Sequence, residues 1–209
     1  MKKLRQRTKS EVKKLLSYGG SGVVLPINRE IRAKNRILNF WSVKRLLEKS
    51  RVIAVGKCGC RMTLKNCNYT LEGCLWLNKW GEIAIKEGYA KKSNCREALS
   101  ILKKTYDEGL VLVAGTEDPP VKICSCCPCC CFQFAGQFQF KFKNSLIKSA
   151  YRARVDKDLC KSCGACVERC HFGAMVKSNC QVVFKEDKCF GCGLCVGKCP
   201  NNAIVLEKI

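Results

Sequence analysis

The sequence is poor in the groups that side-chain catalysis uses. It has one histidine, His171, and 17 acidic residues against 39 basic ones. A lone histidine is no argument for a serine–histidine arrangement, and no helix carries the paired histidines of a zinc protease. Neither a G-x-G-x-x-G run nor a P-loop lysine occurs, so the usual fingerprints of dinucleotide and nucleotide binding are missing. No apolar signal-peptide core follows the basic start, which speaks against export and for a cytoplasmic protein. The longest uncharged stretch, 123–140, holds six cysteines, a proline and three glutamines. That content is costly to dehydrate in lipid, and no membrane span is expected.

What the chain has in excess is sulfur and positive charge. Twenty of its 209 residues are cysteine. In a small secreted chain this density would mean disulfides. In a cytoplasmic one it means thiolates kept reduced for metal, in an anaerobic or oxygen-poor setting. The formal charge is +22. Thiolates holding metal would offset part of it, leaving a strongly basic remainder. Residues 1–50 carry fourteen Lys/Arg against three Asp/Glu. No base-reading motif accompanies them. The asymmetry therefore points to an acidic protein partner, or to a generally basic proteome, rather than to nucleic acid; if the thiols hold redox metal, that partner is an acidic redox protein or oxidoreductase.

The most regular use of cysteine comes near the end of the chain. Cys160, Cys163, Cys166 and Cys170 are spaced C-x2-C-x2-C-x3-C. Cys189, Cys192, Cys195 and Cys199 repeat that spacing twenty-nine positions later, with Pro200 after the last. Three cysteines at three-residue intervals can wrap three corners of one cube in a tight loop. Gly164, Ala165, Gly191 and Gly193 are small enough to let the backbone approach the sulfurs. The fourth cysteine lies a helical turn further on and ligates the other cluster. The expected sets are Cys160, Cys163, Cys166 and Cys199 on one 4Fe–4S cluster, and Cys189, Cys192, Cys195 and Cys170 on a second. A pair of tetrahedral zinc sites is the alternative, and the doubled spacing is the more specific signature of iron–sulfur.

In the runs 160–170 (CKSCGACVERC) and 189–200 (CFGCGLCVGKCP), the chain resembles the bacterial-type two-cluster ferredoxins, over about 152–209. The resemblance implies a pseudo-twofold fold of short hairpins and two short helices that carries single electrons. It departs at His171, which follows Cys170 where the family usually has proline.

Ten more cysteines fall in two blocks: Cys58, Cys60, Cys67 and Cys74, then Cys124, Cys126, Cys127, Cys129, Cys130 and Cys131. Six thiols in eight residues are too dense to be packing material. Each block follows an expected strand, at 51–55 and 110–114. Neighbouring strands would bring the blocks together into one composite metal site at one end of a small sheet. Ten thiols could hold one or two further iron–sulfur clusters, with zinc as the alternative metal. Zinc pairs usually have two to four residues between them, whereas Cys58 and Cys60 have one. Disulfides between neighbouring cysteines are strained.

This half is similar to ferredoxin-like proteins of anaerobic bacteria and archaea. In those, a C-x-C-R block, a strand and helix, and a C-x-C-C-x-C-C block precede the two-cluster module. That similarity implies an added cluster domain and no particular reaction. Arg61, beside the thiolates, would favour a cluster's reduced state, or else is a surface arginine. Cys95 and Cys180 read as structural thiols. His171 reads as structural, with cluster tuning or proton relay as its alternative.

The expected architecture is α+β: a small mixed α/β cysteine-rich N-terminal domain followed by a bacterial dicluster ferredoxin-like fold. A basic tail at 1–22 precedes the cysteine-rich domain at 23–143, a linker at 144–151 and the ferredoxin domain at 152–209. Short helices are expected at 11–18, in the tail, and from Cys74, in the cysteine-rich domain, which also holds a longer one over 29–49, or two broken near Asn39. A further helix is opened by the Asn94-x-x-Glu97 capping box and stopped by Gly109. The phenylalanines from Phe132 to Phe142 fit either a strand or a helix. The leading functional expectation is a polyferredoxin-like electron carrier relaying low-potential electrons. A reductive enzyme or maturation factor with a substrate-binding front site is the alternative, and a nucleic-acid-associated or redox-sensing protein comes third.

Overall fold

The computed structural model describes residues 5–17, 36–38, 40–115, 120–142 and 145–209, with backbone alone at 36–38 and 40–42. Residues 23–26, which read as a short extended segment, and Asn28, placed to cap the helix expected over 29–49, lie outside the described residues. Helix α1 (Lys9–Ser17) opens the described chain, two residues ahead of the expected start. Thr8 and Glu11 form a reciprocal cap. The Glu11 amide donates to Thr8 Oγ1 at 3.2 Å, and the Thr8 amide donates to Glu11 Oε2 at 2.7 Å. Val12 and Leu16 are buried.

The front half is built on β1 (Arg36–Leu38), β2 (Ile53–Lys57), β3 (Glu72–Leu77), β4 (Ala90–Ser93), β5 (Val111–Ala114) and β6 (Lys122–Cys126). They form one antiparallel sheet in the order β1-β5-β6-β3-β2-β4. The expected helix over 29–49 is, in its described part, the strand β1 followed by α2 (Phe40–Glu48). The free edge of β5 supplies the ladder hydrogen bonds that draw β1 out of helical form. The helix expected from Cys74 is also absent, because β3 occupies that stretch. Cys74, Leu75 and Leu77 are all buried between β2 and β6. A short run that is apolar on both faces does not distinguish strand from helix.

Three helices follow the strands: α3 (Gly59–Leu64), α4 (Asn78–Lys86) and α5 (Cys95–Glu108). The capping box forms as expected, with the Glu97 amide donating to Asn94 Oδ1 at 3.0 Å. Gly109 closes α5 at φ 101°, in the left-handed region that favours glycine. Ala98 and Leu102 of α5 pack with Val43 and Leu47 of α2 on Leu75, Leu77, Leu112 and Ile123 of the sheet.

After β6 comes a turn at 128–130, then α6 (Phe132–Phe134), which widens into a π-helical turn at Ala135–Gln139. The phenylalanine segment is thus helical at its start. The back half pairs β7 (Tyr151–Val155) with β10 (Ile204–Lys208), and β8 (Met175–Ser178) with β9 (Gln181–Phe184) in a hairpin. Helix α7 (Ala165–Arg169) lies between them.

The two halves share one core. Val111, Val113, Cys126, Cys131 and Phe134 from the front pack with Leu146, Phe172, Phe190 and Leu194 from the back. Phe172 stacks on Phe190 at 4.4 Å and on Phe134 at 5.5 Å between ring centres. The segment joining the halves is tied down: Leu146 is buried, and Ser149 Oγ donates to Gly191 O at 3.0 Å.

Candidate metal centres

In the back half, two cavities are each walled by four cysteines. One is lined by Cys160, Cys163, Cys166 and Cys199 together with Val155, Val182 and Ile204. The other is lined by Cys170, Cys189, Cys192 and Cys195 with Phe172, Phe190 and Leu194. The fourth cysteine of each run therefore faces the three of the other run. Two backbone contacts repeat the symmetry: the Ala174 amide reaches Cys170 Sγ, and the Ala203 amide reaches Cys199 Sγ, each at 3.3 Å. Amides donated to cluster thiolates stabilise the added negative charge of reduction. Burial, then the neighbouring thiols, pushes the Cys192 thiol up to about 12. Such thiols give up their protons only against a positive charge set among them, as metal supplies.

The front cysteines divide into two groups. Cys74 on β3 lies directly across from Cys124 on β6. From there neighbouring thiols run Cys60, Cys58, Cys74, Cys124, Cys126 and Cys131, and Cys131 stands close enough to Cys60 for its charge to act there, so that the six form an incomplete ring. The expected route to this meeting is corrected. Strands β2 and β5 are not neighbours, and β3 and β6 lie between them and themselves carry cysteines. Hydrogen bonds from Cys60 and from Cys126 drive Cys58 and Cys124 down, and push the donors up in turn. Buried Gln133 closes one side, its Oε1 3.6 Å from Cys126 Sγ and 3.8 Å from Cys131 Sγ.

The second group is Cys67, Cys127, Cys129 and Cys130, whose four sulfurs lie within 4.8 Å of one another. Lys65 ends α3 in the left-handed conformation and turns the chain towards Cys67. Asn66 Nδ2 donates to Cys129 O at 2.8 Å and holds the 128–130 turn against it.

Arg61 stands between the groups. It is 1% exposed, so the surface alternative is excluded. Burial works against its charge, but Cys58, Cys127 and Cys74 outweigh it and hold the guanidinium above its usual value. One arm, Nη1, donates to Ser125 O at 2.7 Å. Its Nε and Nη2 are buried with no hydrogen-bond partner. A buried guanidinium with two idle donors among thiols fits an anionic inorganic group in that space.

Sequence reasoning did not reach the contacts that join the halves. Tyr106 on α5 donates its hydroxyl to Gly193 O at 2.5 Å, inside the Cys189–Cys195 loop. Arg169 Nη2 donates to Tyr106 O at 2.8 Å, and His171 Nε2 lies 2.7 Å from Gly109 O. His171 thus has a structural partner at the end of α5. Helical periodicity turns Tyr106 inward, but no sequence signal marks its partner, 87 residues away. Cys95 begins α5, and Cys180 sits exposed in the β8–β9 turn, each apart from the thiol groups.

The model of the 4Fe-4S binding domain family matches the chain twice, at residues 153–176 and 182–205. Each match spans one four-cysteine run, which supports iron–sulfur binding by the back half. The ten front cysteines lie outside both matches. Comparison with curated proteins finds no match. Among the described residues, no helix is long and apolar enough to cross a membrane.

Proposed function

We propose that the protein is a polyferredoxin-like electron carrier that relays low-potential single electrons between redox partners. Its back half, 152–209, would be a bacterial-type two-cluster ferredoxin fold with the crossed ligand sets. Cys160, Cys163, Cys166 and Cys199 would hold one 4Fe–4S cluster. Cys189, Cys192, Cys195 and Cys170 would hold the second. The six-thiol ring in the front domain would hold a further iron–sulfur cluster, with Arg61 neutralising it. When bound, such clusters supply reversible one-electron storage.

The observation that carries this reading is the shared core. Cys170 and Cys192 of the back half and Cys124, Cys126 and Cys131 of the front pack into it together with the stacked rings of Phe134, Phe172 and Phe190. The chain's own residues keep water out of that space and hold both thiol groups at a fixed separation. At the outer end, Cys163 is exposed, which suits exchange with a docked partner in a cytoplasmic setting. The basic surface would steer an acidic partner.

Anaerobic purification followed by iron and sulfide counts and stepwise reduction tests the reading. More than about eight irons per chain, and uptake of electrons by front and back centres, are expected. Protein that accepts no electrons from a low-potential reductant would end the proposal.

A second reading, a reductive enzyme or maturation factor, is favoured by one feature. A cavity of about 280 Å³ opens beside Cys129, Cys130 and Cys131 and is also lined by Arg5, Arg7 and His171. A cluster signal that changes on adding small anions would favour this reading over simple transfer.

A further inference from the structure

The two front thiol groups differ in spacing, and the difference decides how much metal each can hold. Cys67 Sγ is 3.9 Å from Cys127 Sγ and 3.8 Å from Cys130 Sγ, and Cys130 Sγ is 3.9 Å from Cys129 Sγ. A tetrahedron of thiolates bonded at ~2.3 Å to one ion has edges of ~3.8 Å. In a cube each thiolate is bonded to a different iron, so the sulfurs stand well apart with the cluster between them. Among the described residues no other three cysteine, histidine or carboxylate ligand atoms converge so closely. The eight back-half cysteines, set around two cavities, form no such group.

We propose that Cys67, Cys127, Cys129 and Cys130 bind a single divalent ion, zinc or ferrous iron, as a closed tetrahedral tetrathiolate site. It is separate from the clusters and serves as a staple. The ion would tie the loop after α3 to the turn after β6, segments about sixty residues apart in the chain. Four thiolates around a divalent ion leave a net charge of about −2, and Arg61 faces that charge from the side of Cys127. Asn66 fixes the Cys129 backbone, so the ligand loop is held before the ion arrives. With four protein ligands the ion has no open position, which suits structure rather than catalysis. The proposal rests on the reading that the front thiols hold metal, and is independent of electron uptake by the back half.

The test uses the full chain purified without oxygen, comparing the parent with Cys129→Ser for metal and acid-labile sulfide. Loss of one metal ion per chain, with sulfide unchanged, is expected. Loss of about four irons and four sulfides would mean a cube at this loop and overturn the proposal. Loss of no metal would overturn it equally. Because a cysteine variant can fail to fold, the second measurement is made on the parent loaded with Co²⁺ under reducing conditions. One cobalt per chain with the ligand-field absorption of a tetrahedral tetrathiolate is expected, and its absence would overturn the proposal. Failure of the electron-transfer reading is seen elsewhere, as back-half irons that cannot be reduced.

Discussion

Arg61 is the residue on which the front site's electrostatics turn. Its guanidinium is buried, bonded once to Ser125 O, and otherwise surrounded by sulfur. Removing one member of a buried charge cluster leaves the rest uncompensated, at a cost of about 3–5 kcal/mol. Arg61→Met should lower the urea midpoint accordingly in metal-loaded protein. Arg61→Lys should not fully restore it, because an ammonium lacks the planar set of donors that binds the Ser125 carbonyl and still presents charge to both thiol groups. Two glycines give a second contrast at this scale. A Cβ on Gly191 would lie 1.9 Å from Tyr151 O, at φ +68°, whereas Gly164, at φ +87°, has nothing within 4 Å. Gly164→Ala should cost only the left-handed conformation, about 1–2 kcal/mol. Gly191→Ala must also displace backbone, and should strip about four irons from the Cys189–Cys195 loop. Iron per chain in the two variants checks this, and equal iron in both would refute it.

Helix α5 is the element that couples the halves, since it packs on the sheet with one face and reaches the Cys189–Cys195 loop through Tyr106. Burial, then the thiols of Cys192 and Cys195, pushes the Tyr106 phenol up to about 12, from an ordinary value of about 10. The folded state therefore prefers the neutral phenol more than the unfolded chain does. That stabilisation is fully present below about pH 10 and is lost as pH rises through about 12. Denaturant midpoints measured upward from about pH 9 should fall across this window in the parent. Tyr106→Phe should start about 1 kcal/mol lower, for the missing hydrogen bond, and show a flatter fall. This same helix was legible in the sequence because its signals are local: Asn94, Glu97 and Gly109 act within their own turns. Strand β3 was not legible, because Cys74, Leu75 and Leu77 are buried by partners on both sides, and only the sheet supplies those partners. Likewise, the spacing of eight cysteines announced the back sites. The division of the ten front cysteines into a ring and a quartet depends on Cys127 turning away from Cys126, which no spacing rule encodes.

On the scale of the molecule, the sequence suggests two domains and a linker at 144–151, while the hydrophobic core runs across that boundary. Phe172 and Phe190 belong to the back half by sequence, yet they pack against Phe134 and Phe138 of the front. Separating the halves would expose these rings together with Leu194, Val111 and Val113. Each ring returned to water costs roughly 1.5–3 kcal/mol, a large share of the stability of a small domain. The halves should therefore unfold as one unit. Trp76 reports on the front sheet, and cluster absorbance, most of it from the two back-half clusters, reports chiefly on the back half. In anaerobic denaturant titrations the two signals should change with the same midpoint and slope. Phe172→Ala should move both midpoints down together, by about 3–5 kcal/mol of stability. If fluorescence changed while most of the cluster absorbance held, the halves would be independent modules, and the aromatic stack could not fix the spacing of the thiol groups on which electron relay depends.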